Sequence, residues 1–476
     1  MDEFQFRDTA DDLSPPPPST HREAANAELA VAIRRLAHSS VLVVGDAMLD
    51  RYIYGTVERV SREAPVPVLN VDREVAVPGG AGNVVRNLGA LGAAVAFVSV
   101  VGDDQAGSDL TGLIGSQPGV EPWLLVQGSR ATTRKTRYMA QGQQVLRTDR
   151  EDASPIHPKL AERMLRILRD AMLATTVTIL SDYGKGVLSG DLPSHIINIA
   201  RNSSRMVIAD TRGDFSRFAG ADVVTPTSEE LERFAGQRLM TDDAISTAAE
   251  ALRKKHNFGA VLVNRAEDGM TLVDQTGAMH FRIETPEDGD VSGVADTSVA
   301  TLAAGLAAGL ELSLAAKVAS IASFVALSRH GIAVAREGDL LAALSPQGSA
   351  LRKIVPLETA ASRLENWRRE GWQTAVTLGR FDTLGPEQLR RLERARTESD
   401  RLVVGLERDS SAHPGTPEAV RAAQLACLDT VDLVVLVDSS NPAEFLYALR
   451  PDLLVAESNH PGAELLPTWG GRVAAL

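Results

Sequence analysis

The chain has 476 residues, which is more than one typical domain needs, so we expect two or three domains. Its formal net charge of −13 argues against nucleic acid or an anionic membrane surface as the main partner. The single cysteine, Cys427, excludes an internal disulfide framework, and no apolar run approaches the length of a membrane span, so we expect a cytoplasmic protein without membrane insertion.

The first segment, residues 1–21, is acidic and polar and contains four consecutive prolines, Pro15 to Pro18. This composition cannot bury enough apolar surface to fold, so it predicts a disordered, Pro-rich tail. The pattern of residues 22–37 then predicts a helix.

Short β-branched runs alternate with helical patterns from residue 41 onward, with predicted strands at 41–44, 96–100, 176–180, 206–210 and 260–264. Such alternation predicts a mostly parallel sheet with helices on both faces. Asp46, Asp182 and Asp210 each lie at or just past the end of a predicted strand, so we expect them to meet in one crevice. The alternative for Asp46 and Asp182 is simple turn capping.

Residues 78–92 read PGGAGNVVRNLGALG and follow an extended apolar stretch. Gly79 and Gly80 would let the backbone approach a ligand closely, and Asn83 offers both a donor and an acceptor to a sugar hydroxyl. The alternative is a plain strand–turn–helix connection.

Residues 290–297 read DVSGVADT and lead into a long helix of small residues. A Gly- and Ser-containing turn at a helix N-terminus exposes unpaired N–H groups, which predicts a phosphate site. Asp296 beside such a site is suited to act as a general base in phosphoryl transfer. An ordinary N-cap is the alternative.

Residues 341–372 form a predicted helical linker. Beyond it, strands predicted at 374–378, 401–406 and 432–437, with helices between them, indicate a second α/β domain of about 100 residues, a typical domain size.

The motifs PGGAGNV and DVSGVADT together are similar to the two signatures of ribokinase-like sugar kinases. Residues 41–71, 143–152, 180–188 and 261–273 resemble the bifunctional enzymes of nucleotide-heptose synthesis, in which a heptose-7-phosphate kinase is fused to a heptose-1-phosphate adenylyltransferase. The resemblance covers residues 38–340 and, more weakly, 373–460.

This resemblance implies an α/β fold for the chain. It consists of a ribokinase-like three-layer domain at 22–340 and a smaller Rossmann-like, nucleotidyltransferase-type domain at 373–476. Segments 51–75 and 120–150 would form a small lid sheet over the sugar, and this sheet could pair with a second subunit in a homodimer.

The implied reaction is ATP- and magnesium-dependent phosphorylation of a sugar phosphate, heptose 7-phosphate, at its anomeric hydroxyl to give heptose 1,7-bisphosphate. Asp296 would be the base, with backbone N–H groups of Gly293, Val294 and Ala295 as the anion hole. The implied substrate-binding residues are Asp46, Asp50, Gly79, Gly80, Asn83, Arg147, Asp182 and Lys185. On the nucleotide side the resemblance implies Thr227, Arg265, Gly269 and Ser323, with Glu230 near magnesium through water. For Lys185 a solvated surface lysine is the alternative.

Two motifs depart from the kinase pattern. Gly293-Val294-Ala295-Asp296 stands where the family has Gly-Ala-Gly-Asp; if position 295 requires a positive φ, alanine there costs about 1 kcal/mol and turns a donor away from the anion. Thr227 stands where the family has asparagine. We therefore expect a slow kinase, with a non-catalytic sugar- or nucleotide-binding or scaffold protein as the alternative.

The second domain departs further. The family's His-x-Gly-His is replaced by Gly385, Pro386, Glu387 and Gln388, which removes both histidines and adds a negative charge where phosphates would lie. Asp382 and Arg421 remain. We expect this domain to fold but to have lost adenylyl transfer.

Overall fold

The computed structural model describes residues 21–141, 143–282, 293–328, 334–344, 353–369, 371–409, 415–438, 442–456 and 460–475. The predicted tail lies outside these ranges except for His21. The helices are α1 (His21–Arg35), α2 (Ala81–Ala90), α3 (Gln105–Gly115), α4 (Pro158–Ala174), α5 (Leu192–Asn202), α6 (Ser228–Ala235), α7 (Asp242–His256), α8 (Val294–Ala307), α9 (Leu312–Leu327), α10 (Glu337–Leu344), α11 (Leu357–Arg369), α12 (Pro386–Thr397), α13 (Glu418–Ala426) and α14 (Pro442–Leu449).

The strands are β1 (Ser40–Gly45), β2 (Ala47–Val60), β3 (Pro67–Gly80), β4 (Ala94–Gly102), β5 (Val120–Gln127), β6 (Arg134–Ala140), β7 (Gln143–Arg150), β8 (Val177–Asp182), β9 (Met206–Thr211), β10 (Val223–Val224), β11 (Ala260–Asn264), β12 (Met270–Asp274), β13 (Gly277–Phe281), β14 (Thr374–Gly379), β15 (Arg401–Glu407), β16 (Leu433–Val437), β17 (Leu453–Ala456) and β18 (Arg472–Ala475). None of the helices in the described ranges combines the length and the apolar character that a membrane span requires.

The largest sheet within the described residues has nine strands in the order β13-β12-β11-β10-β9-β8-β1-β4-β5. Its strands are parallel except for the hairpins that join β11, β12 and β13. Successive residues of β1 point to opposite faces: Val41 and Val43 pack in one core, and Leu42 and Val44 in the other. A strand buried on both faces needs a continuous apolar run, which is why 41–44 is so clear in the sequence.

Two helical layers cover this sheet. Residues of α1, α2, α3, α8, α9 and α10 fill the core on one face, and residues of α4 to α7 fill the other. The predicted three-layer α/β fold is thereby confirmed. The helix predicted at 22–37 is α1, followed by a 3-10 turn at Leu36–His38.

A separate four-stranded sheet has the order β3-β2-β6-β7 and is the predicted lid. The expectation for 120–150 was partly wrong, because β5 pairs in parallel with β4 at the edge of the main sheet. The reason is physical: β5 lies at the edge of the main sheet, so it is half-exposed and its exposure alternates from Val120 to Leu124, as that of a lid strand can.

The third sheet is parallel, with the order β16-β15-β14-β17-β18. It contains the three strands predicted after residue 373, and β17 and β18 in addition. Residues of α12 and α13 pack on one face, and residues of α11 and α14 on the other.

Candidate active site

Three aspartates meet at the carboxyl ends of β1, β8 and β9, which are neighbours in the main sheet. Asp46, Asp182 and Asp210 are each no more than 3% exposed. The charge of Asp182 contributes to raising the pKa of both Asp46 and Asp210, so the three carboxylates lie within electrostatic reach of one another. They share one crevice, as the order of the strand ends suggested.

Asp46 anchors the loop that follows β8. Its Oδ2 accepts backbone N–H groups from Tyr183 and Lys185, both at 2.9 Å, and its Oδ1 accepts that of Val187 at 2.9 Å. Burial raises the pKa of Asp46 to about 6, although the three backbone donors lower it. Both oxygens are thus engaged in shaping the loop.

Asp50 lies in β2, where it pairs with Val77 of β3, and its carboxylate lies against Gly79 at the end of that strand. A Cβ at Gly79 would lie 2.0 Å from Asp50 Oδ2, so only glycine permits this approach. Gly80, at φ 56°, precedes α2, whose first turn carries the buried Asn83. The side chains expected to surround a sugar therefore come from the lid and from the start of one helix.

Two arginines that were not predicted face this group. Arg137 Nη1 pairs with Asp50 Oδ1 at 2.6 Å, and Arg86 Nη1 donates to Asn83 Oδ1 at 3.0 Å. Burial acts to lower the pKa of both arginines, and the charge of Asp50 acts to raise it. Arg137 lies on β6, whose pairing with β2 brings it to Asp50, and no local pattern in the sequence reveals that pairing.

Asp296 is 7% exposed in the first turn of α8. Its Oδ2 accepts Asn83 Nδ2 at 2.7 Å, and its Oδ1 accepts the hydroxyl of Tyr183. Burial raises the pKa of Asp296 to about 6, and the two hydrogen bonds oppose that shift. A carboxylate with this pKa is mostly ionised at neutral pH and can accept a proton.

The N-terminus of α8 presents backbone donors beside this carboxylate. Gly293 is the N-cap at φ 79°, and the first hydrogen bond of the helix runs from Thr297 N–H to Gly293 C=O at 3.0 Å. The N–H groups of Val294, Ala295 and Asp296 precede that bond and have no acceptor within the helix. They are the donors expected of an anion hole.

The concern about Ala295 was wrong. The residue with positive φ in this turn is Gly293, which the chain retains, whereas Ala295 is not among the described residues with positive φ. Ala295 lies inside the first turn of α8, where alanine is favourable.

The predicted phosphate-binding cations have carboxylate partners. Lys185 Nζ lies 2.7 Å from Glu151 Oε2, and Arg147, half-exposed on β7, pairs with Asp149 at 3.1 Å. Asp182 pairs with Arg217. Of the two candidate cations, Lys185 belongs to the crevice, since its own N–H donates to Asp46.

Thr227 and Glu230, which were expected near the nucleotide and its magnesium, form a capping box at the start of α6. Glu230 Oε1 lies 3.7 Å from Arg212, and Oδ2 of the neighbouring Asp210 is buried without a hydrogen-bond partner. Unpartnered buried oxygen is suited to receive a hydrated cation or a nucleotide. In the described ranges, no cluster of three or more His, Cys, Asp or Glu side chains could hold a metal by itself.

The remaining nucleotide candidates lie further along the sheet. Arg265 pairs with Asp242 at 2.6 Å, and Gly269, at φ 87°, ends the 3-10 turn after β11. Ser323 lies on α9, and its buried hydroxyl has no hydrogen-bond partner.

In the third sheet, a cavity of about 340 Å³ lies at the end of β14, between that strand and the start of α12. Its lining residues are Gly379, Arg380, Phe381, Asp382, Thr383, Gln388 and Arg391.

The arginines near this cavity have partners within the same domain: Arg391 donates to the Thr377 hydroxyl and to the carbonyls of Leu378 and Val455. Arg380 pairs with Asp382 at 2.9 Å. Arg421 is fully buried, pairs with Asp409 at 2.5 Å and donates to the carbonyls of Thr416 and Arg380. Arg421 therefore stabilises the loops, and its Nε lies 3.8 Å from Oδ1 of Asp382 in the cavity lining.

Comparison with known proteins identifies the family. The profile of the pfkB family carbohydrate kinases matches residues 38–337. The chain is 53% identical over 464 residues to the bifunctional protein HldE of Acidiphilium cryptum (strain JF-5), covering 95% of this chain and 96% of that protein. It is 44% identical to the HldE of Paramagnetospirillum magneticum (strain ATCC 700264 / AMB-1), covering 93% of this chain and 94% of that protein.

Solved structures share the fold of the first domain. Arabidopsis thaliana ribokinase complexed with ribose and ATP superimposes with a TM-score of 0.52 at 20% identity, covering 64% of this chain and 99% of that one. Escherichia coli phosphofructokinase-2 in complex with potassium gives a TM-score of 0.54 at 19% identity, with the same coverage. With the site geometry and these relatives together, the chain belongs to the pfkB family of carbohydrate kinases and, over nearly its whole length, to the bifunctional HldE proteins.

Proposed function

We propose that the first domain transfers the γ-phosphoryl group of ATP to the anomeric hydroxyl of heptose 7-phosphate, giving heptose 1,7-bisphosphate. The observation that carries this proposal is the buried Asp296, held by two neutral donors beside the free N–H groups of α8. Asp296 takes the hydroxyl proton as the sugar oxygen bonds to phosphorus, and the bond from phosphorus to the departing ADP oxygen breaks.

The anion hole stabilises the phosphoryl group while it is transferred from ATP to the sugar. The N–H groups of Val294, Ala295 and Asp296 donate to the equatorial oxygens of the phosphoryl group, and the positive end of α8 favours its negative charge. Because Ala295 lies in the first turn of α8 without a positive φ, alanine at this position does not turn a donor away from the phosphoryl group. This favours a kinase over a non-catalytic binding protein.

Substrate contacts are assigned to Asp50, Asn83 and the close backbone of Gly79 and Gly80. Asp46 contributes by holding the loop of residues 183–187 in shape. Lys185 is the expected contact of the substrate's own phosphate, which would replace Glu151 as its partner. Heptose 7-phosphate is the substrate that the resemblance to the bifunctional enzymes of nucleotide-heptose synthesis implies.

The nucleotide is proposed to lie between the start of α8 and the C-terminal part of α9, near Gly269 and Ser323. Magnesium, held mainly by the phosphates and reached by Glu230 through water, would neutralise charge on the transferring group. Asp210 Oδ2 and Ser323 Oγ are buried without a hydrogen-bond partner, which supports the proposal that a ligand binds in this region.

The kinase proposal is tested by following ADP formation with ATP, magnesium and a panel of sugar phosphates that includes heptose 7-phosphate. We expect the wild-type protein to turn over heptose 7-phosphate. In Asp296→Asn, kcat for this substrate should be lower by at least about a hundredfold. Binding of heptose 7-phosphate without ADP formation in the wild-type protein would favour the non-catalytic alternative instead.

For the second domain we propose a retained fold without adenylyl transfer. Gly385 and Gln388 offer no imidazole to the phosphates, and the nearby Arg421 is fully buried in internal contacts. The test uses the full chain carrying Asp296→Asn, with ATP, magnesium and heptose 1-phosphate. Pyrophosphate release should match a no-protein control, and release well above it would overturn this proposal.

We also propose a homodimer formed through the lid sheet. Apolar side chains of the lid are exposed, among them Val60, Val71 and Leu146, and a pairing lid would cover them. Light scattering should give twice the chain mass, and Leu146→Glu should shift it toward the monomer. A monomeric wild-type protein at micromolar concentration would contradict this arrangement.

A further inference from the structure

Among the described residues, Tyr183 is hydrogen-bonded to Asp296 although no role was expected for it from the sequence. It lies between Asp182 and Lys185, in the loop after β8. Its hydroxyl donates to Asp296 Oδ1, while Asn83 donates to Oδ2 from α2 at 2.7 Å. Each oxygen of the carboxylate thus has one fixed donor, and the two donors come from different elements.

The tyrosine is itself held at both ends. Its backbone N–H donates to the buried Asp46 at 2.9 Å. The guanidinium of Arg212 lies over its ring, 4.5 Å from the ring centroid, which is a favourable cation–π geometry. A side chain anchored in this way can set the orientation of the group it contacts.

We propose that Tyr183 is a positioning residue for phosphoryl transfer, which holds Asp296 in the orientation that receives the sugar hydroxyl proton, with Arg212 fixing the tyrosine ring. This inference rests on the kinase function proposed above. A carboxylate that could rotate would lose the alignment on which proton transfer depends.

Tyr183 acts as a donor throughout. Burial and the nearby Asp296 raise the pKa of Tyr183 well above its ordinary value, so the phenol stays protonated at neutral pH. Its hydrogen bond lowers the pKa of Asp296, as do Asn83 and Arg212, whereas burial and Asp210 raise it. Loss of the phenol oxygen should therefore leave Asp296 harder to deprotonate.

The test is Tyr183→Phe, which keeps the ring and removes only the hydroxyl. We expect kcat to fall by about ten- to a hundredfold, the size of a lost hydrogen bond to a charged group. The KM values for sugar and ATP should change little, and the acid limb of the kcat/KM profile should move to higher pH. Tyr447→Phe, which removes the same atom from an exposed residue on α14, is the matched control. Unchanged kcat and an unmoved acid limb would overturn the proposal.

A second measurement separates this proposal from the kinase proposal. Melting temperatures of the wild type, Tyr183→Phe, Asp296→Asn and the double variant at pH 8 form a double-mutant cycle that needs no turnover. Non-additive shifts support the Tyr183–Asp296 contact even if heptose 7-phosphate is not phosphorylated, an outcome that would count against the kinase proposal and not against the contact. Additive shifts would overturn the positioning role.

Discussion

The crevice at Asp296 and the cavity at Asp382 both lie near the carboxyl ends of parallel strands, but they use their polar groups differently. In the crevice, the carboxylate is held by neutral donors from Asn83 and Tyr183, and the N–H groups of α8 have no acceptor within the helix. In the cavity, Asp382 pairs with Arg380, and Arg421 is consumed by internal contacts. The crevice therefore has backbone donors without an acceptor in the helix, whereas Asp382 and Arg380 of the cavity are paired with each other.

The strongest way to break this comparison is Asp296→Asn. We expect kcat to fall by at least about a hundredfold, since general-base catalysis contributes that much or more. Affinity for heptose 7-phosphate, measured by calorimetry, should stay nearly unchanged because the base acts in the transition state. Asp170→Asn, on the exposed side of α4, is the control. Equal turnover in wild type and Asp296→Asn would remove Asp296 from the mechanism.

In the second domain, we expect a substitution at Arg421 to change stability and not kinase activity. Arg421→Met leaves Asp409 and the carbonyls of Thr416 and Arg380 without their donor, and should destabilise this domain by about 2–4 kcal/mol. Sugar-kinase turnover should be unaffected at temperatures below the new transition. Arg390→Met, at an exposed position of α12, is the matched variant and should melt like wild type. If Arg421→Met melts normally, the arginine is not the structural link described here.

A pH profile sharpens the account of the crevice. Because burial raises the pKa of Asp296 to about 6, the base is ionised above that pH and protonated below it. The kcat/KM value for the sugar should therefore be level between pH 7 and 8 and fall by about tenfold per pH unit well below 6. A profile that stays level down to pH 5 would show that Asp296 ionises much more readily than its burial implies.

The smallest effect is expected at Ala295. Ala295→Gly, alone or with Val294→Ala, should not raise kcat, because the turn already has its glycine at position 293. Glycine inside the first turn of α8 should instead cost about 0.5–1 kcal/mol of stability, measured by thermal unfolding. A higher kcat in either variant would show instead that Ala295 turns a donor of the anion hole away from the phosphoryl group.

The sequence determined the elements of the fold because their signals are local. The apolar run at 41–44, the glycine pair at 79–80 and the turn before Asp296 all indicated their structure from residues close in the chain. The lid was harder to delimit, since the sequence does not show that β5 pairs with β4 at the edge of the main sheet and not with the lid strands. In the second domain, the missing histidines could be recognised from one short segment.

Tertiary structure alone decided which side chains meet. Arg137 reaches Asp50 across the pairing of β6 with β2, and Tyr183 reaches Asp296 from the loop after β8, more than a hundred residues earlier in the chain. Tertiary structure also decided that both Asp46 oxygens hold a loop and that the Arg421 guanidinium is buried. The reason is that hydrogen bonding and desolvation depend on neighbours brought together by folding, and residue type only states which bonds are possible.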